Sequence, residues 1–188
     1  MARRLSLVPP PLVTLLCGLL FGAGSCTEAS PAGEPVRFDA CESLMTVPAD
    51  APWTAQQATG VRTALALWNA RAYTRLGSGD QALIGDPALV RLPAEPRLTI
   101  QFQSAAEPFH GFYDAPTAGI FINDGLTGSA QAIAIAHEIG HAFGLVHETA
   151  RPSVMRPGNL DTEPTSGDVD ALAALWGSCP RAAPPSSQ

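Results

Sequence analysis

Apolar positions along this chain fall into a few periodic stretches. From Thr54 to Leu76, Val61, Leu65, Trp68 and Ala72 recur at helical spacing, with Pro52 just ahead, and predict a long amphipathic helix with Trp68 in the core. A Gly- and Pro-bearing stretch from Gly77 to Pro96 reads as a loop. Arg97 to Phe102 then alternates apolar and polar residues over the length of a half-buried strand. Gly119-Ile120-Phe121-Ile122-Asn123 is a second, short strand signal, closed by the turn chemistry of Asn123-Asp124-Gly125. Ser129 to Phe143 is rich in Ala and Ile and predicts a buried helix with Ser129 near its cap. Thr165-Ser166-Gly167-Asp168 has the form of a capping box ahead of a last helix with apolar face Val169, Leu172 and Trp176, stopped by Gly177. No internal repeat is present, and the order of elements indicates an α+β fold with a small mixed sheet.

Composition narrows the picture. A chain of 188 residues, 46% hydrophobic, suits one globular domain with a real core. Met1-Ala2-Arg3-Arg4, an apolar run from Leu12 to Phe21 and the small residues after it read as a secretory signal over residues 1–25, too short to span a bilayer as a mature helix. Ala23-Gly24-Ser25-Cys26 resembles a bacterial lipobox, which makes Cys26 a candidate for lipidation; cleavage by an ordinary signal peptidase near the same place is the alternative. Residues 26–40, small, polar and proline-bearing, are expected to form a flexible tether, 41–179 the folded domain, and 180–188 a disordered tail. With Cys17 inside the signal and Cys26 set aside, Cys41 and Cys179 are the remaining mature cysteines in an oxidising compartment, and they are expected to pair. The location implied is secreted, or on a bacterial cell surface or in the periplasm, with any membrane contact made only through the N-terminal lipid.

Of the eleven basic residues, all arginine, two lie in the signal; nine then face seventeen acidic residues, a net charge near −8. That leaves no basic patch to neutralise phosphates and excludes nucleic acid as a partner.

The chemistry is concentrated in His137-Glu138-Ile139-Gly140-His141-Ala142-Phe143-Gly144-Leu145-Val146-His147, which holds three of the chain's four histidines. His137 and His141 lie one helical turn apart, so their imidazoles can converge on one cation. A continuous helix would carry His147 far round the cylinder. Gly144 offers a remedy, because glycine enters the left-handed region without steric cost and can end the helix, returning His147 to the same ion.

This stretch fits the metzincin zinc-protease pattern H-E-x-x-H-x-x-G-x-x-H at every fixed position. Ser153-Val154-Met155-Arg156-Pro157 resembles the family's Met-turn. The eight-residue interval from His147 to Met155 and the Met-x-Pro form resemble the matrixin branch, whereas Glu148 resembles astacins, and Pro157 stands where astacins place a zinc-binding tyrosine. The resemblance covers roughly residues 41–179 and is strongest over 137–157. It implies a metzincin-like domain with an active-site helix, a Met-turn and a C-terminal helix, in which His137, His141 and His147 hold one zinc, Glu138 is the general base, and Met155 forms an apolar floor. Matrixins carry a second, structural zinc on several histidines; here only His110 remains, and it reads as a structural or surface residue. A structural Ca²⁺ has no support beyond loop aspartates, which more often form solvated turns.

Three neutral imidazoles that leave a fourth position open are the donor set of a catalytic zinc. The function implied is endopeptidase action on a protein or peptide substrate held extended against a sheet edge, by a chain expected to be monomeric. Gly119, Ile120, Phe121, Ile122 and Asn123 are the candidate edge, and the same residues also fit an interior strand. Two other readings compete: a catalytically silent zinc-bearing binding module, against which the presence of Glu138 speaks, and a metallohydrolase of a non-protein amide.

Overall fold

In a computed structural model of the chain, the structure describes residues 37–49, 51–71, 75–78 and 97–177, all within one compact unit, Ala32–Gln188. The signal-like segment, Cys26, Cys179 and the tail lie outside the described residues. Among the described residues no helix is long and apolar enough to cross a membrane.

Among the described residues five strands form one sheet: β1 (Ser43–Pro48), β2 (Arg75–Ser78), β3 (Arg97–Gln103), β4 (Gly111–Asp114) and β5 (Gly119–Asn123), in the order β2-β1-β3-β5-β4. Every pairing is parallel except β4 with β5. Three α-helices of the described residues accompany it: α1 (Ala55–Asn69), α2 (Gly128–Ala142) and α3 (Ser166–Trp176). The result is α+β with a small mixed sheet.

Alternation puts Leu98 and Ile100 of β3 and Ile120 and Ile122 of β5 into the core, and the β3–β5 register sets Ile100 beside Ile120. Helix α1 packs on α2, and α2 on β4 and β5. Thr54 caps α1 in a reciprocal box with Gln57, which satisfies orphan amides at the helix start. Trp68, wholly buried, donates its indole N–H to the Ala136 carbonyl of α2 at 2.9 Å. The two helices meet closely at Gly60, where a Cβ would collide with the Gln131 side chain.

Several expectations need correction. The first helix stops at Asn69, where the Ala70 and Arg71 amides bond back to Ala66 and Trp68, and Leu76 belongs to β2. Ala72 lies outside the described residues. The apolar spacing ran past the true end because no glycine or proline marks it. Strand β1 was not foreseen, nor β2, which straddles the expected end of the helix and start of the loop, nor β4, whose four residues are too few to show a period. The segment Gly119–Asn123 is a strand with the expected bounds, but it is interior, flanked by β3 and β4; among the described residues the end of the sheet is β4. The tether ends earlier than expected, since Phe38 and Ala40 already belong to the core. Helix α2 begins at Gly128 after Thr127, slightly ahead of Ser129. Helix α3 has the capping box expected of Thr165 and Asp168 and ends at Gly177, whose φ is 75°.

Candidate metal centre

Helix α2 carries His137, Glu138 and His141 and ends in a Schellman-type turn. The Leu145 amide bonds to the Gly140 carbonyl and the Gly144 amide to the His141 carbonyl, both at 2.9 Å, with Gly144 at φ 90°. A side chain at that φ would be strained, so glycine permits the reversal that brings His147 back. The three Nε2 atoms then form a nearly equilateral triangle: 3.2 Å from His141 to His137, 3.3 Å from His137 to His147, and 3.3 Å from His141 to His147.

The donor set fits zinc. The His137 Nδ1 lies 2.7 Å from the Val154 carbonyl and the His141 Nδ1 lies 2.9 Å from the Leu145 carbonyl. A carbonyl only accepts, so each Nδ1 carries the proton and each Nε2 presents a lone pair. Lone pairs crowded so closely repel unless a cation lies among them. Three nitrogens bound about 2.0–2.1 Å from one tetrahedral zinc lie roughly 3.3–3.4 Å apart, which is the spacing of this triangle to within about 0.1 Å. Burial also keeps the rings neutral: it pushes His137 down to about 4, against the opposing Val154 hydrogen bond, and lowers His141 and His147 as well.

Glu138 is buried, and desolvation pushes its carboxyl up to about 8, opposed by a hydrogen bond from the Tyr113 backbone amide of β4. Beside it, Gly111 of β4 has Glu138 Cγ within van der Waals reach of where a Cβ would lie. So β4 both ends the sheet and walls the carboxylate.

Behind His137 stands a turn over residues 153–155. Asp168 of α3, buried, accepts from Ser153 Oγ, from the Val154 amide at 3.2 Å, and from the Thr165 amide and hydroxyl at 2.7 and 2.9 Å. Asn159 Nδ2 reaches the same Val154 carbonyl at 3.2 Å. Met155 is buried in the gap left by Gly140, where a Cβ would collide with its sulfur. After His147, the Glu148 amide bonds to the Met155 carbonyl at 3.0 Å. The Glu148 carboxylate, held below its usual range by the Ala150 amide and then by Arg151, links through Arg151 to the Gly167 carbonyl.

The structure thus brings together His137, His141 and His147, with Glu138 following His137 on α2 and buried under β4, and Met155 against the helix. Among the described residues these histidines are the one group of three or more potential ligand residues close enough to share an ion, and His110 is outside it, half-buried just before β4. Cys41 is disulfide-bonded, and its expected partner lies outside the described residues. Sequence reasoning missed the roles of Tyr113 and Val154, which act through backbone atoms, and of Asn159, whose side-chain amide reaches back to the Val154 carbonyl. Asp168 was read only as a cap; a carboxylate where a capping box more often has Glu was the one available hint.

Residues 122–187, about a third of the chain, match the family described as metallo-peptidase family M12B, reprolysin-like. No curated protein matches the chain. The match spans the whole histidine cluster and, with the triangle of Nε2 atoms, supports a zinc metallopeptidase of the metzincin type.

Proposed function

We propose that the protein is a zinc-dependent endopeptidase that hydrolyses peptide bonds in extended protein substrates. The observation that carries this reading is the Nε2 triangle of tetrahedral-zinc dimensions beside the buried carboxylate of Glu138. When bound, the zinc supplies Lewis acidity toward water and the substrate carbonyl. His137, His141 and His147 would hold the ion through their Nε2 atoms. Glu138 accepts the proton of the attacking water on a carboxylate oxygen and delivers it to the departing amine nitrogen; burial makes it a stronger base than an exposed carboxylate. Met155 serves as the apolar floor that keeps the ligands in register.

Substrate adds to the sheet at β4, and so the role first given to Gly119–Asn123 passes to Gly111–Asp114. The loop from Glu148 to Asn159 shapes the pocket beyond the scissile bond. Its interval to Met155 resembles matrixins and its Glu148 astacins, while the family match is to reprolysin-like peptidases, so substrate preference follows from the loop itself and not from a branch name. Export through the signal, lipidation of Cys26 and pairing of Cys41 with Cys179 complete the proposal.

The test is cleavage of a diverse peptide library by the chain lacking residues 1–25, with and without chelator. Chelator-sensitive cleavage supports a peptidase. Intact peptides in the presence of folded, zinc-loaded protein would favour the binding module or a non-peptide amide.

A further inference from the structure

The residues that looked like the end of a tether are built onto the end of the metal helix. The Phe38 amide donates to the Ala142 carbonyl at 2.9 Å, Phe38 is 6% exposed, and Ala40 is wholly buried. The stem of Arg37 lies over Gly144, its Cδ 3.3 Å from where a Cβ would stand. At the C-terminus of α2 the Ile139, Gly140 and His141 carbonyls accept from the Phe143, Leu145 and Gly144 amides. The next two, Ala142 and Phe143, have no partner from their own helix and are taken by the Phe38 amide and the Trp176 indole N–H. The turn thus secured presents the Leu145 carbonyl to His141 Nδ1 and leads directly into His147. Arg37 also places a cation where the helix dipole favours one.

We infer that Arg37–Ala40 is a positioning strap for the metal centre: by capping Ala142 and covering Gly144, it fixes the turn that orients His141 and delivers His147, and so sets how tightly the three histidines hold their ion. The strap acts through the turn. The inference rests on the zinc reading above, and its physical basis is that a helix end without its caps opens locally, taking ligand geometry with it.

The experiment uses the chain lacking residues 1–25, as wild type, Phe38→Ala and Arg37→Ala. Zinc affinity is read by competition with a chromophoric chelator, and amide exchange at Gly144 and Leu145 is read in the zinc-free protein. Phe38→Ala is expected to weaken zinc binding about 10–100-fold, the range for residues that support ligands from behind, with a smaller loss in Arg37→Ala. Exchange at Gly144 and Leu145 is expected to quicken in both variants, while that at Ile100 in the sheet stays slow. A strap that only packs would lower the melting temperature and leave zinc affinity and the local exchange as in wild type, which would overturn the inference. Should Phe38→Ala fail to fold, Arg37→Ala decides alone, its side chain being exposed. If the wild type takes up no zinc, the proposed function fails, and the exchange comparison still decides whether the strap holds the turn.

Discussion

Glu138 and Asp168 are both carboxylates inside the fold, 5% and 2% exposed, and the molecule treats them in opposite ways. Asp168 accepts four hydrogen bonds, from Ser153, Val154 and twice from Thr165, which join the start of α3 to the turn behind His137. Glu138 accepts from the Tyr113 amide, and desolvation outweighs that bond, raising its proton affinity. The same side-chain chemistry becomes a structural staple where donors surround it and, in the function proposed above, a proton carrier where they do not. Exposure alone would not have separated them.

The largest expected effect is on Glu138. Replacing it with Gln should lower kcat about 10²–10⁴-fold with zinc content unchanged. A variant that cleaves at the wild-type rate would leave the proton carrier elsewhere. The same substitution has a signature in the zinc-free protein. Because burial raises the folded-state pKa from 4.5 to about 8, the native state binds that proton more tightly than the unfolded chain. This contribution is complete below about pH 4.5 and is lost as pH rises to about 8. The histidines, with lowered values, work in the opposite direction, but they are common to both proteins. Urea midpoints of wild type should therefore fall relative to those of Glu138→Gln between these limits; parallel curves would contradict the assignment.

Asp168→Ala comes next. It strands several buried donors at once and should destabilise by roughly 3 kcal/mol, at about 1–3 kcal/mol for each unsatisfied group. A loss below about 1 kcal/mol in chemical denaturation would mean that water replaces the carboxylate, and the contrast with Glu138 would weaken. Gly140→Ala sharpens the comparison from the packing side. Its Cβ meets the Met155 sulfur, so overpacking should cost about 1–3 kcal/mol in the same assay; no loss would show that Met155 moves freely and is no rigid floor.

How much of this was legible along the chain follows from the range of each interaction. The ligands, the base and the glycine turn all lie within eleven residues, where helical periodicity and glycine chemistry decide geometry locally. The capping box at Thr165 and Asp168 was legible for the same reason. The place of β5 inside the sheet was not, because its neighbours β3 and β4 are long-range partners and alternation is silent about which strands flank it. Strand β4 was hidden by brevity, and with it the Tyr113 amide on Glu138. The strap at Phe38 was hidden by composition: a polar, proline-bearing approach concealed one aromatic residue that enters the core.

The central claim is that three histidines hold one zinc with a position left open, and X-ray absorption at the zinc edge of the purified chain tests it most directly. The account predicts one zinc per chain, with three imidazole nitrogens at about 2.0–2.1 Å and one further light-atom donor that exogenous ligands replace. A chain without zinc, a sulfur in the first shell, or a fourth imidazole, which would have to be His110, would contradict it.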